Sequence, residues 1–379
     1  MSHIALVVPG LDRIGGAERQ LLLLAHGFRR RGWRVTVIAL SGHGGDAAAE
    51  LIAAGAGFLS LRMRKGLADP RGWIRFHRWL RREAPDVVHA HLPHAAWLAR
   101  WSRLVAPFRV LSDRLHSVST GTLGRLLGYS VSGWLPDQVT AVSQAVADSH
   151  LAARMVSKAR LLVLPNGVDV EVWRPDVSVR QTVRRELGID NEFLWLAAGR
   201  LDPVKDYPTL LKAMTGVPEP ARLLVAGAGP LQGELTRLCM SLGLERRVTF
   251  LGFTPDVRRW MQAADGFVLS SQWEGLPMGL LEATACALPA IATDVPGTRE
   301  TMHALSGCLT PAGNAAELGK AMSAMMQTPL EERMRMGQNA RRQVVERFSL
   351  EAALDRWETL YADLLKRKPQ PRRWGRAIV

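Results

Sequence analysis

Cysteine is scarce in this sequence. Its three copies, Cys239, Cys286 and Cys308, stand far apart among 379 residues, in apolar or turn contexts. That spacing offers neither a disulfide framework nor a metal-ligand pattern, and it favours a reducing, cytoplasmic compartment. Long hydrophobic runs are also missing. No stretch approaches the ~20 apolar residues needed to cross a bilayer. The run LLLLA at 21–25 is cut short by His26 and the arginines behind it. The opening MSHIALVVPGLDRIGG has no basic segment ahead of its apolar one, so it does not read as a secretory signal. There is no D-x-D motif to hold a metal on a diphosphate, and no helix-turn-helix or zinc signature. The last absence argues against a nucleic-acid partner.

What is present in excess is positive charge. The net charge is +14, and it is unevenly spread. Residues 1–178 carry 23 Lys and Arg against 13 Asp and Glu, whereas residues 179–365 carry 20 against 22. The tail KRKPQPRRWGRAIV, 366–379, adds six basic groups and no acid. An anionic substrate, an anionic membrane surface or a merely solvated, arginine-rich face would each account for this.

Apolar runs alternate with helical patterns along the whole chain. HIALVVPG reads as a strand, IGGAERQLLLLAHGFRRRG as a helix behind a glycine turn, and WRVTVIAL as the next strand. PDVVHAHL and FRVLSDRLH continue the rhythm, and FLWLAAGRL restarts it. Then come ARLLVAGAGP, RVTFLGF, GFVLSS and PAIATD, with helices between them. Strands without polar alternation imply parallel sheets covered on both faces. The expected architecture is α/β: two doubly wound, Rossmann-like domains, 1–178 and 179–350, facing a central cleft. A C-terminal helix, 351–365, would pack back toward the first domain, and 366–379 would be a mobile basic tail. Ligands of such sheets bind beyond the carboxyl ends of the strands.

Three loops at those ends carry candidate chemistry. In IGGAER, Gly15 and Gly16 allow a close backbone approach, and the helix start behind them favours an anion. In GRLDPVKDYPTLL, Arg200 and Lys205 suit a diphosphate whose charge grows as it leaves, though surface cations on a loop would read the same. In WEGLPMGLLEA, Pro277 fits the first turn of a helix. The amides of Leu276, Met278, Gly279 and Leu280 would then form an anion seat. Glu274 and Glu282, eight positions apart, suit sugar and ribose hydroxyls better than phosphate. The glycines of GAGPLQG, 227–233, miss the dinucleotide G-x-G-x-x-G spacing by one place.

GGAER, VLPNGVDVEVW, GRLDPVKDYPTLLKA, LLVAGAGPLQGEL, VTFLGF and WEGLPMGLLEATACALPAIATDVPGTRE stand in an order that resembles glycosyltransferase family 4. These are retaining, nucleotide-sugar-dependent enzymes with the GT-B fold. The resemblance covers nearly the whole chain, and the acid pair matches the family's E-x(7)-E motif. It implies that Arg200 and Lys205 neutralise the donor diphosphate, that Glu282 binds the ribose and that Glu274 contacts the donor sugar. It places phosphate on the backbone of Gly16 and of Gly275, Leu276, Pro277, Met278, Gly279 and Leu280, and the base near Gly252 and Phe253. His116 matches the histidine that touches the donor sugar, with His89, His91 and His94 as rivals.

The resemblance further implies metal-independent transfer with no cofactor, the nucleotide-sugar being a substrate. A UDP-sugar is the expected donor, and a glycan or lipid-linked hydroxyl of the cell envelope is the expected acceptor. A non-catalytic sugar-nucleotide sensor and a sugar-nucleotide epimerase of the same fold remain alternatives. Residues 62–82, RMRKGLADPRGWIRFHRWLRR, hold eight basic groups around Trp73, Phe76 and Trp79. They read as a helix with an apolar stripe along Trp73, Phe76, His77 and Leu80. That stripe would rest on an anionic inner-membrane surface or pack on the protein's own sheet. Trp374 in the tail would be a second lipid contact.

Overall fold

The computed structural model describes residues 2–12, 14–64, 69–106, 108–117, 131–305 and 308–367. The basic tail from 368, with Trp374, lies outside the described residues. The chain divides into two compact units: Met1–Gly167 together with Leu350–Val379, and Val168–Ser349.

The strands of the first unit are β1 (His3–Val8), β2 (Arg34–Ala39), β3 (Gly57–Ser60), β4 (Val87–His91), β5 (Val110–Leu115), β6 (Gln138–Ala141) and β7 (Leu161–Val163). They form one sheet in the order β3-β2-β1-β4-β5-β6-β7, parallel at every pairing. The second unit has β8 (Phe193–Ala198), β9 (Ala221–Ala226), β10 (Val248–Gly252), β11 (Gly266–Leu269), β12 (Ala290–Thr293) and β13 (Cys308–Thr310). Their order is β10-β9-β8-β11-β12-β13, again parallel throughout. Central strands such as β1, β4 and β5 are buried at every residue, as the unalternating apolar runs require. Both sheets reverse their strand order once, between β1 and β4 and between β8 and β11. Such a switch point opens the crevice in which doubly wound sheets take ligands.

The expected boundary at 178/179 is displaced. The chain changes unit at Gly167/Val168 and returns at Ser349/Leu350. Val168 bridges to Ser349, and its N–H donates to the Phe348 carbonyl at 2.8 Å. The Arg341 guanidinium donates to the carbonyls of Val170 and Trp173 at 3.2 and 2.9 Å. These bonds hold residues 168–173 in the second unit, a grip that local sequence does not announce.

The helix Leu350–Arg367 completes the first unit. It lays Leu354, Trp357, Tyr361 and Leu364 against the helix Gly16–Arg30 and the sheet. Gly27 permits the approach, because a Cβ there would lie 2.5 Å from Leu354 Cδ1. Arg31 clasps Glu351, Asp355 and Glu358 at 2.5 to 2.8 Å.

The helix Pro70–Glu83 starts as expected, with the Asp69 carboxylate accepting from the Arg71 amide at 3.0 Å. Its apolar stripe differs from the expected one. Gly72, Phe76, Trp79 and Leu80 are buried, Trp79 edge-on to His3, while His77 shares a hydrogen bond with Ser102 at 3.0 Å. The stripe is therefore spent on the unit's own core, and what faces solvent is Ile74 and the arginines. Among the described residues no helix is long and apolar enough to cross a membrane.

Under Trp357 and Tyr361 lies His89, with the His91 ring 4.2 Å beyond it, both fully buried, and at the end of β5 lies His116. Burial, with Arg114 nearby, holds His89 and His91 well below the ordinary histidine value and brings His116 down to about 3. The unfolded chain protonates these rings as pH falls through about 6.5, whereas the folded chain does not, so acid favours unfolding. Each ring contributes about 1.4 kcal/mol per pH unit below that point. Urea midpoints measured at pH 7.5 and 5.5 should therefore fall on acidification, and His89→Phe should flatten the dependence. Equal midpoints at the two values would contradict this account.

Candidate functional site

In the second unit every loop singled out from sequence leaves the carboxyl edge of the sheet. Beyond β8 the chain passes Gly199 and Arg200 into a tight turn, Pro203–Lys205. Beyond β11 it runs through Ser270 to Pro277 and enters the helix Met278–Ala285. These two loops flank the switch point, and hydrogen bonds stitch them together. The Gln272 amide donates to the Val204 carbonyl, and Ser270 Oγ to the Lys205 carbonyl, both at 2.8 Å. Lys205 Nζ donates to Glu274 Oε1 at 2.5 Å, and Ser271 Oγ reaches the same oxygen at 2.7 Å. Lys205 and Glu274 keep only 22% and 11% of their side-chain surface. Arg200 is 74% exposed and rests on Asp202 Oδ2 through Nε and Nη2, at 2.8 and 2.6 Å.

An exposed pair like Arg200–Asp202 contributes at most about 1 kcal/mol, so an incoming dianion can take the arginine over. The part-buried Lys205–Glu274 pair is held more firmly. Behind both, Tyr207 donates its hydroxyl to the Gly199 carbonyl at 3.1 Å. Burial, then Asp202 and Glu274, push the phenol pKa upward, so it stays a hydroxyl.

The helix start is narrower than expected. Pro277 stands one place before the helix, not in its first turn, and its carbonyl accepts from Leu280 and Leu281 at 3.0 and 3.2 Å. The Leu280 amide is thus consumed and is no part of an anion seat. Gly275, Leu276, Pro277 and Leu280 are buried, and the part reaching solvent is Met278 and Gly279. A Cβ at Gly279 would meet the Ala198 carbonyl at 3.4 Å and the Phe267 ring at 3.7 Å, so the helix is pressed onto β8 and β11. Glu282 is buried in the second turn. Gly252, left-handed at φ +67°, ends β10, and Phe253 beyond it is 79% exposed.

In the first unit Gly15 precedes the helix Gly16–Arg30, and its N–H donates to Glu18 Oε2 at 3.0 Å. Neither glycine needs a positive φ, but the place of a Gly16 side chain has no neighbour within 4 Å. His116 follows β5 and shares a hydrogen bond with His91 at 3.1 Å, Nε2 to Nδ1.

Two family models match this chain: Glycosyltransferase Family 4 over residues 14–172, and Glycosyl transferases group 1 over residues 179–343. This chain belongs to glycosyltransferase family 4. Two curated relatives extend over most of it. An Escherichia coli UDP-Gal:alpha-D-GlcNAc-diphosphoundecaprenol alpha-1,3-galactosyltransferase is 24% identical, covering 80% of this chain and 81% of the relative. A Bacillus anthracis N-acetyl-alpha-D-glucosaminyl L-malate synthase is 29% identical, covering 75% and 76%. Among solved structures, Anabaena Alr3699/HepE in complex with UDP and glucose matches with a TM-score of 0.85. It covers 96% of this chain and 100% of that one at 22% identity, a likeness of fold, GT-B.

The family 4 motif residues in the second unit gather at one sheet edge: Arg200, Lys205, Glu274, Glu282 and the Met278 helix start. Gly252 and Phe253 leave the same edge two strands from β8. Gly15, Gly16 and His116 belong to the first unit. Of the rival histidines, His89 and His91 are buried and His94 is exposed.

Sequence reasoning missed what holds the family 4 loop in place. Thr293 Oγ1 donates to the Ser271 carbonyl at 2.5 Å. Gly297 lies against the loop, since a Cβ there would fall 2.3 Å from the Glu274 carbonyl and 2.7 Å from that of Gly275. The Pro-Gly pair after β12 was the available signal. Gly227 and Gly229 prove structural in the same way: a Cβ at Gly227 would lie 1.9 Å from the Gly199 carbonyl oxygen and one at Gly229 2.3 Å from that of Leu201. Gly297→Ala should push Glu274 out of register, costing about 1–3 kcal/mol of stability and at least tenfold in turnover of the donor. Denaturant titration and initial rates would read both effects, and a wild-type value for both would refute the packing argument.

Proposed function

We propose that this enzyme transfers a sugar from a nucleotide-sugar, a UDP-sugar by preference, to a hydroxyl of a glycan or lipid-linked acceptor. The anomeric configuration is retained, no metal ion takes part, and the product belongs to envelope polysaccharide synthesis. The observation that carries the reading is the convergence of Arg200, Lys205 and the Met278 helix start beside two carboxylates at the β8/β11 switch point. The relatives support the chemistry: one is named for UDP-galactose and a diphosphoundecaprenol-linked acceptor, and the Anabaena protein holds UDP and glucose.

The donor diphosphate takes Arg200 from Asp202 and Lys205 from Glu274, and the amides of Met278 and Gly279 add the helix dipole. Freed of Lys205, Glu274 accepts hydrogen bonds from the donor sugar, while Glu282 accepts from ribose hydroxyls. His116 contacts the sugar as a neutral ring, and Gly16 lets the first helix approach phosphate. Phe253 borders the base. The bond from the anomeric carbon to the diphosphate oxygen breaks with its electron pair going to the diphosphate. The acceptor oxygen bonds to that carbon from the same face, and its proton passes to the departing phosphate oxygen. The two cations and the helix start stabilise the charge that develops there, which is where such groups accelerate a reaction most. The exposed Ile74 and the arginines Arg71, Arg78, Arg81 and Arg82 of the helix Pro70–Glu83 favour an anionic membrane surface near the acceptor side.

A thermal-shift comparison of UDP-, GDP- and ADP-sugars should favour the UDP series. Arg200→Ala and Lys205→Ala should each lower kcat/KM by about 10²–10³-fold, with EDTA leaving the wild type intact. Full activity of the double variant would sink the site assignment, and donor binding without turnover would favour a sensor instead. Liposome flotation should show binding only with anionic lipid, abolished when Arg71, Arg78, Arg81 and Arg82 are replaced by Ser. Equal binding to neutral vesicles would remove the membrane claim.

A further inference from the structure

His91 ends β4 at the switch point of the first sheet, and nothing in the transfer reaction described above employs it. The parallel register sets His89 opposite Ser112 and His91 opposite Arg114. Alternate residues of a strand share a face, so His89, His91, Ser112 and Arg114 line one face together. The helix Leu350–Arg367 covers that face. Tyr361 Oη and His89 Nδ1 are 2.7 Å apart, and the Trp357 ring lies 4.5 Å from that of His89. The rings of His89 and His91 are 4.2 Å apart and inclined by 36°. Arg114 stands 4.8 Å over Trp357 and donates to Asn166 Oδ1 at 2.7 Å. His91 Nδ1 then meets His116 Nε2 at 3.1 Å.

We propose that His91 is a positioning residue for His116, fixing the orientation and tautomer of its ring through this nitrogen-to-nitrogen bond, with the C-terminal helix as the support behind it. The proposal rests on the reading of His116 as the donor-sugar contact. A bond between two neutral imidazoles needs one N–H and one lone pair, so the tautomers of the two rings are set as a pair. Desolvation, complete at His91 and partial at the half-buried His116, together with the nearby Arg114 charge, keeps both rings neutral. His91 itself has no freedom to turn: it is fully buried, packed on His89 and followed by Leu92 at φ +69° and ψ +157°. That backbone conformation is one that glycine favours, and it persists in other residues only where the surroundings dictate it. It turns the chain away from the sheet directly after His91. Among the described residues no group of three or more His, Cys, Asp and Glu side chains is arranged to hold a metal ion.

The bond is tested in the full-length wild-type protein by a cross-hydrogen-bond nitrogen–nitrogen coupling between His91 and His116, with His116 in a single tautomer. Absence of the coupling, or a mixture of tautomers, would overturn the proposal whatever the enzyme transfers. The consequence is tested by steady-state rates. His91→Leu should lower kcat by about 10–100-fold, the usual cost of removing a group that orients an active one, with KM for the donor within about threefold. His91→Asn, whose amide falls near the Nδ1 position, should recover most of the loss. An unchanged kcat in His91→Leu, or a loss in His91→Asn as deep as in His91→Leu, would refute the positioning role. If the wild type transfers no sugar while the coupling is present, the fault lies in the functional reading and not in the bond.

Discussion

A parallel sheet sends every strand out at the same edge, and at one place in each sheet two adjacent strands must hand their chains to opposite faces. In this protein those places are β1/β4 and β8/β11. The divergence leaves a gap that the sheet cannot fill, and the loops that border it are the ones bearing unusual residues. On the second sheet they bear Arg200, Lys205 and Glu274. On the first, β4 ends in His91 and the glycine-favoured turn at Leu92. The crevice therefore precedes its chemistry: strand order creates it, and side chains furnish it afterwards.

Carboxylates beside a phosphate seat look unfavourable when only the ligand is considered. In the structure each cation has an acid of its own, Asp202 for Arg200 and Glu274 for Lys205. A part-buried ammonium with no partner would cost several kcal/mol in lost hydration. The acids remove that cost and keep the cations aimed. Under the proposed reading the donor exchanges one anionic partner for another, and Glu274 passes from holding Lys205 to holding hydroxyls. Its place is set from beneath as well as by its own bonds: Gly297 packs against its backbone and Thr293 donates to the neighbouring Ser271 carbonyl.

The βα rhythm was legible because unalternating apolar strands and glycine turns have no other good use in a chain of this length. The loops at the strand ends followed from that rhythm. The fine structure of the helix start did not. Whether Pro277 stands in the first turn or one place before it depends on ψ, which the residue type does not fix, and it decides whether the Leu280 amide is available. The domain boundary failed for a different reason: Arg341, far along the chain, captures the carbonyls of Val170 and Trp173. The two buried histidines of HAHLPH share a face by simple alternation and so could have been paired on paper. The partner of His89, Tyr361, stands 272 residues away, beyond any local pattern.

β5 shows how polar residues can settle what apolar ones leave open. Its sequence VLSDRL is buried at all six positions. Asp113 points to one face, where Arg100 of the helix Pro93–Ser102 donates to it at 2.6 Å. Arg114 points to the other, where Trp357 and Asn166 receive it. Val110, Leu111 and Leu115 would pack acceptably on either face, so they tolerate a slip in pairing. The charged neighbours do not. A shift of one residue would turn Asp113 toward Trp357 and Arg114 toward Arg100, leaving two like charges together and an acid against an indole. Because His116 follows two residues after Arg114, the same register decides which way that ring faces. The buried charges of β5 thus specify the sheet pairing and the placement of the histidine together.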